Sequence, residues 1–123
     1  MAEKDNVTKI NDEEFAVAKK ESENTTGVYV HEFSTPFSYE GKTYEKLTFN
    51  WNKLTGEDSL AIENELQSLG KAVIVPEFSG EYLVRMASRA CTENIGADVI
   101  LAMSLSDYNT IRGKARSFLL HLA

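Results

Sequence analysis

Thr43-Tyr-Glu-Lys-Leu-Thr-Phe-Asn-Trp51 decides the first half of the fold. Successive side chains of an extended chain point to opposite faces. Thr43, Glu45, Leu47, Phe49 and Trp51 therefore fall on one side, and Tyr44, Lys46, Thr48 and Asn50 on the other. Upstream stands Glu40-Gly41-Lys42, where Gly41 can take the positive φ that a tight hairpin demands. Before that, Val28-Tyr-Val30, His31-Glu-Phe-Ser-Thr35 and Phe37-Ser-Tyr39 supply the β-branched and aromatic residues of a second strand. Pro36 cannot donate a ladder hydrogen bond and belongs at an edge or strand end. The spacing predicts an antiparallel hairpin from Val28 to Trp51.

Downstream the period lengthens. Thr55 with Asp58 forms a capping-box variant, and a helix runs from there to Leu69, where Gly70 stops it. Leu60, Ile62, Leu66 and Leu69 supply its expected buried face, with Glu63 and Glu65 outward. Lys71-Ala-Val-Ile-Val-Pro76 reads as a connector lying against the core, since Pro76 disfavours helix before it. Ser79 caps a helix from Gly80 to Thr92, with Leu83, Met86, Ala87 and Ala90 on one face. Ala97–Met103 is a short helix after Gly96. Ser104 and Asp107 offer a cap for the last helix, where Tyr108, Ile111, Ala115, Phe118, Leu119 and Leu122 follow heptad-like spacing.

Residues 1–27 differ. They carry Glu3, Asp5, Asp12, Glu13, Glu14, Glu21 and Glu23 against Lys4, Lys9, Lys19 and Lys20, with few large apolar side chains. Asn11 and Glu14 could cap a short helix through Lys20, with Phe15 and Ala18 on one face, before a linker through Gly27. Ile10, Phe15 and Val17 bury too little surface to offset ordering entropy, so a mobile acidic tail is expected. The predicted fold class is α+β: an N-terminal antiparallel β-hairpin followed by a small bundle of about four helices. These form a single domain over residues 28–123, behind the tail of residues 1–27.

The chain has 123 residues, of which 42% are hydrophobic and 26% charged, a composition that supports a packed core. A formal net charge of −6 disfavours non-specific binding to nucleic acid or an anionic membrane. Cys91 stands alone, so no intramolecular disulfide is possible. With no signal-peptide pattern at Met1–Asp5 and no apolar run near the ~20 residues of a membrane span, a soluble cytosolic protein is expected.

Catalytic chemistry is scarce. Neither His31 nor His121 has a metal-ligand partner at local spacing, and each reads as solvated or partly packed. Cys91 reads as a small buried thiol. Gly56, Gly70, Gly80 and Gly96 are isolated, so no phosphate loop is formed. Glu57/Asp58 and Glu63/Glu65 fit helix starts or exposed faces. Arg85, Arg89, Arg112, Lys114 and Arg116 could contact phosphates, although cations toward a helix C-terminus are also the structural default. No enzyme, cofactor or metal site is expected.

Taken together, several stretches resemble a family of phage tail assembly chaperones. Phe37-Ser-Tyr-Glu-Gly-Lys-Thr-Tyr-Glu-Lys-Leu-Thr-Phe49 is similar to its Gly-turn hairpin with the pattern G-x-x-Y/F-x-x-L. Lys53-Leu-Thr-Gly-Glu-Asp58 matches its (K)LTG-x-D turn into an acidic helix. Val73-Ile-Val-Pro-Glu-Phe-Ser-Gly-Glu-Tyr82 resembles its Pro-Ser-aromatic connector. Leu105-Ser-Asp-Tyr108 with Arg116-Ser-Phe-Leu119 resembles its last helix, although Ser104-Leu105-Ser106 stands where that family commonly has a proline. The resemblance spans about residues 35–120.

It implies a non-enzymatic assembly factor in the cytoplasm of a bacterial host, absent from the mature virion. Its partners would be the tape measure protein and, through a frameshifted longer form, the tail tube protein. A chain ending Phe118-Leu-Leu-His-Leu-Ala123 would be the short form. Partner contact is expected on the last helix, through Tyr108, Ile111, Ala115, Phe118, Leu119 and Leu122. Two other readings stay open: a small structural tail component, and a DNA-binding regulator using Arg112–Arg116.

Overall fold

A computed structural model describes residues 27–122 of the chain, without the side chain of Leu122. The expected tail and its short helix fall on residues 1–26, outside the described residues.

Strands β1 (Val28–Tyr39) and β2 (Lys42–Asn50) pair antiparallel, with Val28 opposite Asn50 and Tyr39 opposite Lys42. Glu40 and Gly41 join them at φ 49° and 83°. Positive φ at both central positions makes the turn whose twist matches the strands. The ladder is regular from Val28 to Glu32, then shifts: Glu32 pairs with Lys46 and Phe37 with Tyr44, so that residues 33–36 oppose Glu45 alone. Pro36 sits in this bulge, where its missing N–H costs no ladder bond.

The bulge corrects part of the expected alternation. Leu47, Phe49 and Trp51 are fully buried as their spacing requires, but Thr43 and Glu45 are exposed. Tyr44, expected on the outer side, is half-buried and stacks on Phe37 with centroids 6.3 Å apart. Extra residues on one strand re-aim its side chains relative to the partner strand. A row of rings from His31 through Phe33 and Phe37 to Tyr39 results.

Four α-helices follow: α1 (Gly56–Ser68), α2 (Gly80–Ala90), α3 (Ala97–Leu101) and α4 (Leu105–Leu122). Two single 3₁₀ turns, Trp51–Lys53 and Pro76–Phe78, bend the connections. The fold is thus α+β, a two-stranded hairpin against a small helical bundle. The Thr55 N–H donates to the Asp58 carboxylate at 2.8 Å, closing the capping box of α1. The Tyr82 N–H donates to Ser79 Oγ at the start of α2, and the Asp107 N–H to Ser104 Oγ at the start of α4.

On α1 only Ile62 and Leu66 are buried, whereas Leu60 and Leu69 are exposed. At 100° per residue, Leu60 lies about 200° around the helix from Ile62 and cannot share its face. Leu69 lies past the last turn, where Gly70 at φ 74° swings the chain away. The connector likewise departs from expectation. Val73 packs against the core, but Ile74 is 89% and Phe78 71% exposed.

Helix α2 is the central element, packed against α1, α3 and α4. It ends at Ala90 rather than Thr92 because the chain leaves to cover the free edge of β2. Cys91 bridges Phe49, the Thr92 N–H donates to Thr48 O at 2.8 Å, and the Thr48 N–H donates to Glu93 at 2.9 Å. No helix among the described residues is long and apolar enough to cross a membrane.

Candidate partner-binding groove

Helix α4 was the expected contact surface, and the fold divides its residues. Ile111 and Ala115 are fully buried, and Phe118 nearly so, stacked on the Trp51 indole at 6.2 Å. Their spacing of four and three residues keeps one face of α4 turned into the core. Within the closed monomer Ile111 and Ala115 hold α4 to the domain and offer no surface to a partner. Tyr108 is half-buried beneath the Arg112 guanidinium, 5.8 Å from its ring. Leu119 is half-buried and Leu120 is 50% exposed. Leu122 belongs to α4, and its side chain lies outside the described atoms.

What the tertiary structure adds is a groove of about 490 Å³ at the C-terminal end of α4. Trp51, Ile62, Met86, Phe118 and Leu119 supply its apolar lining, and Asn52, Thr55 and Ser59 its polar margin. Four separate elements meet there, so no single stretch of sequence announces it. Ser59 Oγ and Tyr82 Oη, 2.7 Å apart, fix α1 to α2 across the groove. The Trp51 indole N–H is buried with no acceptor among the described residues. An unmet buried donor is uncommon in folded proteins.

Asp58 also lines the groove, and the charged side chains along α1 and α2 are engaged with one another. Arg89 donates to Asp58 at 2.8 Å, Arg85 to Glu65 at 2.7 Å and to Glu81 at 2.6 Å, and Lys71 to Glu81 at 2.8 Å. The Thr55 N–H, and then Arg89, hold the Asp58 carboxyl below its ordinary range. Lys71, and then Arg85, do the same for Glu81. Arg85 and Arg89 thus clamp α2 to α1. On α4, the Lys114 ammonium lies 5.1 Å above the Tyr29 ring.

A second polar constellation was illegible in the sequence. His31 is 5% exposed, with Nδ1 2.8 Å from the Tyr29 hydroxyl and Nε2 2.8 Å from Asp107 Oδ1. A carboxylate only accepts, so Nε2 carries a proton, and in the neutral ring Nδ1 accepts from Tyr29. Burial, and then the Asp107 charge, raises the Tyr29 phenol above its usual value. These residues join the hairpin to the first turn of α4. The 76 positions between His31 and Asp107 explain why local spacing missed the pair.

Cys91 is buried, and that burial pushes its thiol up to about 11, against nucleophilic use at neutral pH. Among the described residues no group of three or more His, Cys, Asp or Glu side chains could hold a metal ion. Comparison of the chain with protein-family models, curated proteins and solved structures returns no match.

Proposed function

We propose that this protein is a phage or prophage tail assembly chaperone that holds an apolar helical segment of the tape measure protein in the groove at the end of α4. The observation that carries this reading is the groove itself, apolar in lining, open at the surface and built from the helix on which partner contact was expected. An amphipathic helix laid into an apolar groove is a recurrent recognition mode, anchored by side chains at i, i+3 or i+4, and i+7. Net negative charge would keep the loaded complex dispersed. Recruitment of tail tube subunits would follow from the held partner, in the cytoplasm of the bacterial host.

A structural tail component is the second reading, favoured by the outer edge of β1, which pairs with no strand among the described residues. The DNA-binding reading is weaker, because two of the three α4 cations lie over tyrosine rings.

Co-expression with the tape measure protein, followed by pull-down and size-exclusion chromatography with light scattering, tests the proposal. The expected result is a soluble stoichiometric complex that Leu119→Asp abolishes. Gly56→Gln is the independent variant, since a Cβ there meets nothing within 4 Å and its amide would stand at the groove margin. Two variants that fold and still bind the partner fully would sink the assignment.

A further inference from the structure

The hairpin has one sealed edge and one open edge. The Trp51 N–H donates to the Gly27 carbonyl at 2.9 Å, which makes Gly27 and Trp51 a hydrogen-bonded pair. Such pairs alternate along an antiparallel ladder. Tyr29 opposite Phe49 and His31 opposite Leu47 therefore bond across the hairpin, and the N–H and C=O groups of Val28, Val30 and Glu32 turn outward. The far strand obeys the same alternation: Thr48, opposite Val30, turns outward and is met by Thr92 and Glu93. On β1 no described residue meets the outward groups. Edges are ordinarily blunted by charge, proline or a bulge. Here the bulge and Pro36 come only after Glu32, and Val28-Tyr-Val30 carries none of these devices.

We propose that this edge pairs with the same edge of a second copy, β1 antiparallel to β1 about a two-fold axis at Val30, giving a four-stranded sheet. With the axis there, Val30 faces Val30 of the other copy and Val28 faces Glu32, so every outward residue exchanges N–H···O bonds. An axis at Glu32 would set two carboxylates opposite each other, which destabilises a strand pair. The helical side of the sheet selects the same register. The Lys114 ammonium lies 5.1 Å above the Tyr29 ring, and Asp107 accepts from His31 at 2.8 Å. Pairing about Val30 sets Tyr29 of each copy opposite His31 of the other, and so brings Lys114 of one α4 alongside Asp107 of the other. An axis at Tyr29 would instead bring lysine to lysine, and one at His31 aspartate to aspartate.

The sealed edge of β2 limits the assembly. Once both β1 edges are used, each outer strand is covered by its own Cys91 and Thr92, and the assembly closes as a dimer. A standard interface takes about 20–30 residues from each side. This one takes fewer, so the dimer exchanges with monomer in solution. The pairing uses residues that do not line the groove, so it stands whether or not the groove holds a tape measure helix.

The test follows the full-length chain through a concentration series by sedimentation equilibrium. A mixture of labelled and unlabelled protein adds isotope-filtered nuclear Overhauser spectra. The expected results are a mass that rises from monomer to dimer and stops there, and contacts between the Tyr29 and His31 α-protons of different molecules, since pairs without hydrogen bonds bring the α-carbons closest. Val30→Lys sets two ammonium groups opposite each other on the exposed face and should hold the protein at monomer mass. Gln67→Lys adds the same charge at an exposed position of α1 and should leave the dimer intact. A monomer throughout the series, a mass that passes beyond the dimer, a dimer without the Tyr29–His31 contacts, or one that survives Val30→Lys would each overturn the proposal. So would slow amide exchange at Val28, Val30 and Glu32 in the monomer, which would make another part of the same chain the occupant of the edge.

Discussion

His31 shows how much a single side chain can carry. Both ring nitrogens are engaged, and the residue is buried between the hairpin and α4. His31→Ala should destabilise the fold by about 1–3 kcal/mol, the cost of leaving buried partners unmet, read from urea unfolding. Phe118→Ala should cost about 3–5 kcal/mol, because a ring stacked on Trp51 leaves a cavity that the helices cannot close. Phe118 is therefore unsuited as a probe of partner binding, and Leu119 takes that role. Cys91, its thiol raised to about 11, should react with an aromatic disulfide reagent at pH 8 only at the rate of unfolding. Prompt labelling of the folded protein would contradict its burial.

At the scale of elements, caps and turns were the most legible features because their chemistry is local. Thr55 with Asp58, Ser79 and Ser104 each start a helix where the sequence places one. Ser79→Ala should cost about 1 kcal/mol in thermal or urea unfolding, the usual worth of a lost N-cap. Gly70→Ala should cost a similar ~1 kcal/mol, since a Cβ at φ 74° is strained even in open space. Faces were less legible than ends. Leu60, Leu69, Ile74 and Phe78 are apolar and exposed, because apolarity alone does not say which side of a helix or connector turns inward. The bulge at residues 33–36 likewise escaped prediction, as register depends on which residues of the partner strand the turn delivers.

For the whole molecule, charge arrangement governs the response to acid. Asp58 and Glu81 titrate below their ordinary values of 3.8 and 4.5 when folded. The unfolded chain thus binds more protons than the folded one as pH falls through that range. Their contribution is complete above the unfolded values and is lost as pH falls through the lower folded ones. The midpoint of thermal unfolding should therefore drop as the pH falls through and below those ordinary values. In Arg89→Gln, which removes one partner of Asp58, the drop should be shallower. A profile unchanged by that substitution would show that the seam between α1 and α2 contributes nothing measurable.

Composition, alternation and capping residues were enough to determine the order of hairpin and helices, the burial of Leu47, Phe49 and Trp51, and the helix starts. Each of those rests on neighbours a few positions apart. The groove, the His31–Asp107 contact and the clamp of Arg85 and Arg89 on α1 were decided only by the tertiary structure. They unite residues tens of positions apart, and which of these meet depends on how helices cross and where the bulge and Gly70 redirect the chain. The candidate site belongs to that second group: α4 was legible as an amphipathic helix, but its division into a core face and a groove wall exists only once α1, α2 and Trp51 close around it.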